Sequence, residues 1–143
     1  MTGHDAPPSP SNPIEVSAGI VFRNGLLLIT QRRPDAHLGG LWEFPGGKCH
    51  ADESDQDCLK RELLEELGIE VEVGPLFDAI THAYPEKIVR LKFFLCRWLQ
   101  HEPRPLGCDN FVWINRNQLG NYAFPAADAQ LLQKLIANPE LWL

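Results

Sequence analysis

Between Gly46 and Ile69 the chain reads GGKCHADESDQDCLKRELLEELGI, a run that leaves little freedom in what can be built around it. Gly47 is followed after five residues by Glu53 and, after seven more, by Arg61-Glu62-Leu63; Glu65-Glu66 and Gly68-Ile69 then follow at one-residue intervals. From Ser54 onward the residues are good helix formers. Ser54 or Asp55 can cap the first turn, and Gly68 stands where a left-handed C-terminal residue is wanted. This pattern predicts a helix from about Asp55 to Leu67. At about 100° per residue, Leu59, Leu63, Leu64 and Leu67 share one side of it, and Glu62, Glu65 and Glu66 share the neighbouring arc.

Three like charges at i, i+3 and i+4 destabilise an isolated helix by roughly 0.2–0.5 kcal/mol per pair. A hard divalent cation offsets that repulsion. Mg²⁺ takes oxygen ligands, keeps several waters and is commonly held by a few carboxylates together with substrate phosphates, so the acidic face is a candidate diphosphate platform. Arg61, one turn before Glu65, can pair with Glu65 or with Glu53 and orient the acids. An acidic run alone is more often a solvated helix face. The glycines, Glu53 and Arg61 at their set distances tip the balance toward a site.

With 143 residues and 44% hydrophobic content, the chain has the apolar material for one sizeable core, expected over residues 14–143. Residues 1–13, rich in Pro and Ser and without periodicity, are expected to form a disordered tail. A net charge of -6 argues against stable binding to a nucleic-acid polymer. Neither a signal peptide nor a membrane-spanning run is evident, which points to a cytoplasmic protein that does not engage membranes. The four cysteines, Cys49, Cys58, Cys96 and Cys108, form no CxxC pair and read as reduced and structural, without zinc site or disulfide framework.

In chain order, alternate residues Ile14, Val16, Ala18 and Ile20 predict a strand with one buried face. Asn24-Gly25 then signals a hairpin into Leu26 to Thr30. Arg32 and Arg33 end that strand, and either guanidinium matches phosphate geometry. A strand at Ile69 to Val73, a break at Gly74-Pro75, and strands at Leu76 to Ala83, Ile88 to Trp98 and Phe111 to Ile114 follow, with a turn over Tyr84 to Lys87. A short helix is expected to start at Arg116 to Leu119. A final helix opens at Phe124 to Asp128, with Ala129, Leu131, Leu132, Leu135 and Ile136 as its apolar face. The sum is an α/β fold, an α/β/α sandwich around a mixed β-sheet.

With these residues in place, the chain resembles the Nudix hydrolases, and the runs TQRRPDAHLGGLWEFPGGK and FPAADAQLL resemble the MutT-like branch. The resemblance covers nearly everything from Pro13 onward. It implies Mg²⁺- or Mn²⁺-dependent hydrolysis of a nucleoside triphosphate, oxidised or otherwise modified in some members, with water attacking the β-phosphorus to release nucleoside monophosphate and pyrophosphate. It further implies that the Gly46 carbonyl, Glu62, Glu65 and Glu66 coordinate metal, that Glu62 is a base for the water, and that Glu53 and Arg61 orient the acids. Arg32 would meet the phosphates, Phe44 would line the nucleobase pocket, Tyr84 and Lys87 would flank it, and Asp128 would address the base edge or cap the last helix. The only partner implied is a small nucleotide, taken up by a monomer or homodimer. Two positions depart from the branch. Asp128 stands where MutT has Asn, so an ionised side chain only accepts, as in relatives that act on cytidine and modified pyrimidine triphosphates. Gly107 stands where an acid usually lies six residues before Trp113, with Asp109 as a replacement and Glu102 as a weaker one. Turnover of another nucleoside-diphosphate-linked compound, or nucleotide binding without turnover, stays open beside the main reading.

Overall fold

The computed structural model describes residues 13–143, so the expected tail lies outside the described residues apart from Pro13. Strand β1 (Ile14–Arg23) is the spine of a seven-stranded mixed sheet. The Asn24-Gly25 turn, with φ of 52° and 78°, sends the chain antiparallel into β2 (Leu26–Gln31). Left-handed backbone at both turn residues suits the right-handed twist of a two-residue hairpin. Short strands β3 (Trp42–Glu43) and β4 (Gly46–Lys48) follow, β3 pairing with β2 and β4 pairing with the N-terminal half of β1.

Helix α1 spans Asp55–Leu67, as the caps predict. The Ser54 hydroxyl accepts the Asp57 N–H at 3.1 Å, and Gly68, at φ 71°, donates its N–H to the Leu64 carbonyl. Strands β5 (Glu70–Ala83) and β6 (Ile88–Gln100) form a long antiparallel pair, and β6 lies parallel to β1. Strand β7 (Asn110–Ile114) returns to β2. A 3₁₀ turn at Arg116–Asn121, closed by a reciprocal Asn115–Gln118 capping box, precedes helix α2 (Ala129–Ala137).

Both faces of the sheet are covered, which is why β1 does not keep the one-sided burial its alternation predicts. Ser17, Ala18, Ile20 and Val21 are all buried. Ile20, Leu27, Ile29 and Phe93 face Leu131 and Leu135 of α2, whereas Val21, Leu28 and Phe94 face Leu59, Leu63 and Leu67 of α1. The α/β/α sandwich is thus built from the period-two geometry of strands that send successive side chains to opposite layers. Trp142 closes the α2 layer: it donates its indole N–H to the Leu135 carbonyl at 3.0 Å and stands edge-on to Phe22.

Several local expectations change. Leu64 is 52% exposed, so the buried stripe of α1 is Cys58, Leu59, Leu63 and Leu67. Residues one apart on a helix are turned about 100° from each other, and the core ends between Leu63 and Leu64. Ile136 is likewise exposed on α2. Gly74-Pro75 does not separate two strands; β5 runs through it with register shifts between Val73 and Asp78. Strand β5 is an edge strand, where the donor that Pro75 lacks is not missed. The final helix begins later than expected, with a 3₁₀ turn over Ala126–Asp128 in front of it. Cys49 and Cys58, read as free thiols, are joined by a disulfide across nine positions of sequence. No CxxC spacing announces that pair; folding of α1 against β4 brings its Cα atoms to 5.2 Å. Cys96 and Cys108 are free and buried. Among the described residues no helix is long and apolar enough to cross a membrane.

Truncating the two adjacent leucines of α1 separates core from surface. Leu63→Ala is expected to cost about 2–5 kcal/mol. Leu64→Ala should stay within roughly 1 kcal/mol. Urea unfolding of both variants checks this, and equal losses would contradict the packing of α1.

Candidate active site

The site begins with an arginine. Arg61 donates from Nε and Nη2 to both carboxylate oxygens of Glu53, at 2.7 and 2.9 Å. It also donates from Nη1 to Glu62 at 2.9 Å and Glu65 at 3.1 Å, and from Nη2 to the Lys48 carbonyl at 3.0 Å. One guanidinium therefore ties the loop before α1, the face of α1 and the end of β4 together. Its planar fork makes such sharing possible. Arg61 and the His50 N–H hold the Glu53 carboxyl down to about 2, so it stays ionised.

Gly46 and Gly47 form the opposite wall, held by β1. A Cβ on Gly46 would strike the Ser17 carbonyl, and one on Gly47 would strike the Glu62 carboxylate. The backbone contact at Gly46 requires glycine, whereas at Gly47 the obstacle is the end of the Glu62 side chain. Gly47 and Glu62 are thereby brought side by side, although 15 positions apart in sequence.

Glu66 faces inward. Burial first, then the charges of Glu43 and Glu62, push its carboxyl up to about 8. Its Oε1 and the Thr30 hydroxyl oxygen are buried without a hydrogen-bond partner. A buried carboxylate short of partners, beside two further acids, suits a divalent cation: the donor set is all oxygen, and positive charge would offset the desolvation. Glu65 is the most exposed of the three at 61%. Among the described residues no three acids converge tightly enough to enclose an ion by themselves. The Gly46 carbonyl, water and substrate phosphates are the ligands left to complete such a shell.

From Gly46, Gly47 and Lys48 an open cleft of about 690 Å³ extends to Asp128. Arg32, Phe44, Tyr84, Lys87 and Asp128, all singled out by sequence, line it. Phe44 is at once wall and core, 4% exposed and packed against Phe93 and Phe124. Tyr84 lies at the mouth between His37 and His82, with the Lys87 ammonium 5.7 Å from its ring. The Asp128 side chain makes no capping hydrogen bond, so it is left facing the cleft. Burial first and Glu43 second push its carboxyl up to about 6.

Arg32 donates from Nη1 to Glu43 at 2.9 Å and from Nε to the His37 carbonyl at 2.6 Å, which pins the loop after β2. Arg33 points elsewhere, to the Leu106 carbonyl. Glu43 went unnoticed in sequence, yet it stands electrostatically between the Asp128 end and Glu66. Burial raises its carboxyl, against the pull of Arg32. Only its place beside the glycine pair could have drawn attention to it. Near the missing acid, Gly107 lies against the Glu66 backbone and Cys108, rather than Asp109, is the buried neighbour that feels Glu66 and Glu43. The Asp109 amide bonds the Gln31 carbonyl, and its side chain is exposed. Glu102 is bound to Arg23, away from α1's acids.

Known proteins match this arrangement. The NUDIX domain family profile covers residues 17–134. An 8-oxo-dGTP diphosphatase of Haemophilus influenzae is 36% identical over 86% of this chain and 91% of its own length. A CTP pyrophosphohydrolase of Escherichia coli is 36% identical over 87% of this chain and 92% of its own. The solution structure of the E. coli ORF135 protein superposes with a TM-score of 0.71 at 34% identity, covering 92% of this chain and 94% of that one. The acid and glycine spacing on a helix that backs onto a cleft, and these matches over most of the chain, show that it belongs to the NUDIX domain family as a hydrolase of the MutT-like branch.

Proposed function

We propose that this protein is a nucleoside triphosphate pyrophosphohydrolase that clears oxidised or otherwise modified nucleotides, releasing nucleoside monophosphate and pyrophosphate. The observation that carries this reading is one cleft with the Gly46-Gly47 wall of the acidic helix at one end and the unpaired Asp128 carboxyl at the other. The names of the relatives support it, since they include both 8-oxo-dGTP and CTP enzymes.

In this reading the Gly46 carbonyl, Glu62, Glu65 and Glu66 hold Mg²⁺ or Mn²⁺. A cation held there would supply positive charge to the phosphates and lower the pKa of a water. Glu62 takes the proton of that water as it adds to the β-phosphorus, and Arg61 keeps Glu62 aimed while Glu53 keeps Arg61 in place. Arg32 meets the phosphates through donors that its bonds to Glu43 and the His37 carbonyl leave over, and it positions Glu43 at the same time. Phe44 and Tyr84 flank the base, Lys87 closes the mouth, and Asp128 reads the base edge. Ionised, Asp128 accepts only, which favours a base that presents an amino group; protonated, it also donates. Residues 14–143 act together as this unit, on a nucleotide rather than a nucleic-acid polymer.

Hydrolysis of a triphosphate panel with Mg²⁺, including CTP, 5-methyl-dCTP and 8-oxo-dGTP, tests the proposal. Pyrophosphate release with one preferred base is the expected result. No turnover with Mg²⁺ or Mn²⁺ would move the assignment to another nucleoside-diphosphate-linked substrate or to binding without turnover. Glu65→Gln should lower kcat at least about 100-fold while leaving the unfolding midpoint unchanged, and wild-type rates would sink its role in holding the cation.

Asp128 also sets a pH dependence. Its folded-state carboxyl lies near 6, above the ordinary 3.8, so its ionised form is disfavoured by folding. It therefore removes stability as pH rises from about 4 to about 6, and the loss stays complete above that. Asp128→Asn should be more stable than wild type by about 2 kcal/mol at pH 7.5 and by little at pH 4, read from urea unfolding at both values. The same variant should change base preference more than kcat. A pH-independent stability difference would place the carboxylate in solvent rather than in the cleft.

A further inference from the structure

The disulfide between Cys49 and Cys58 lies inside the stretch that builds the site. Cys49 directly follows β4 and extends its pairing, donating its N–H to the Glu15 carbonyl at 2.9 Å. Cys58 is fully buried in the first turns of α1, with its N–H on the Ser54 carbonyl. The ring they close contains Glu53, its turn with His50, and the Ser54 cap. Arg61 spans the same ring, from Glu53 to the Lys48 carbonyl. The bridge thus fastens the strand that carries Gly46 to the helix that carries Glu62, Glu65 and Glu66.

Two features set this pair apart from a structural staple. The fold already has two continuous apolar layers, so it is not a small scaffold that depends on cross-links. Each sulfur also has a second polar neighbour within reach: Ser17 Oγ at 3.3 Å from Cys49 Sγ, and the Gly47 carbonyl at 3.7 Å from Cys58 Sγ. As thiols both would find hydrogen-bond partners where they stand, so the same packing accepts either state. Access differs at the two ends. Cys49 is half-buried, so an external thiol approaches from that side, whereas Cys58 is fully enclosed in the first turns of α1. Cys96 and Cys108 are buried free thiols with no disulfide partner, and burial pushes them up to about 12 and about 11.

We propose that Cys49 and Cys58 are a reversible thiol–disulfide modification site, oxidised by low-molecular-weight disulfides, that locks β4 and the Glu53 loop onto α1. In the forward direction the two thiols lose two electrons and two protons, the S–S bond forms, and the small disulfide is reduced to two thiols. In reverse, an external thiolate attacks Cys49 Sγ and Cys58 leaves as thiolate. A second external thiol then displaces the mixed disulfide and restores both thiols.

The test uses the full chain without metal, equilibrated across a series of reduced and oxidised glutathione buffers, quenched, unfolded, alkylated and weighed intact. The expected result is four alkylated cysteines at the reducing end and two at the oxidising end, with peptide mapping assigning the lost pair to Cys49 and Cys58. The oxidised form should melt about 5–10 °C higher. Cys49→Ser should show three alkylated cysteines at every buffer ratio and no such shift. Four reactive cysteines throughout, a bridge elsewhere, a pair that stays closed at every ratio, or equal melting of the two forms would overturn the proposal. A second readout rests on the function proposed above: at limiting Mg²⁺ the reduced enzyme should need roughly 3- to 10-fold more cation for half-maximal rate. An identical requirement would remove the link to the site. The thiol count and melting shift decide the modification itself whether or not triphosphate turnover is observed.

Discussion

Arg61 is the group on which the acidic half of the cleft depends. Without it, Glu53, Glu62 and Glu65 would be like charges on neighbouring backbone with no fixed relation to one another. Five donors on a rigid plane let a single side chain hold two of those acids through α1, the third through the preceding loop, and the end of β4 through a carbonyl. At the same time the close passage of Gly46 past the Ser17 backbone leaves no room for a side chain and fixes β4 against β1. The site is held from one side by charge and from the other by steric exclusion. Neither device works unless Leu59, Leu63 and Leu67 keep α1 seated on the sheet.

The cleft concentrates negative potential although its walls are largely apolar. Glu43, Glu66 and Asp128 each sit where burial raises the carboxyl, and the charge of Glu43 raises both Glu66 and Asp128 further. Among the described residues Arg32 is the one cation bonded to this group, and its bond goes to Glu43. Such an arrangement is unfavourable for an empty protein and favourable for one that binds a cation with its substrate, since the cation inverts the local field. It also explains how a chain of net charge -6 can serve a polyanionic nucleotide. In the proposed reading the protein contributes shape and oriented oxygens, and positive charge arrives with the ion.

Much of this was legible in the residues themselves. Helix α1 has the bounds its caps predict, because Ser54 and Gly68 act through contacts within a few positions. The Arg61 hub was half visible: either Glu53 or Glu65 fitted as its partner, and the guanidinium takes both. The two-sided burial of β1 was not visible, since alternation reports one face and the second is created by a helix that comes much later in the chain. Nor was Leu64, because where an apolar stripe stops depends on how the helix is rotated against the sheet. Glu43 escaped notice because an acid beside a tryptophan has no pattern of its own.

What the order of residues determines by itself is local: the caps, the hairpin turn, the helical arc of acids, and the glycines that permit close approach. These rest on interactions within a turn or two of backbone, so they survive without knowledge of the fold. Tertiary structure alone decides which acid is buried, that Asp128 faces the cleft rather than capping α2, that Arg32 is bound to Glu43, and that Cys49 meets Cys58. Each of these depends on distances between segments that only packing of the two layers onto one sheet brings into being. Burial and charge pairing have no meaning until the low-dielectric interior exists.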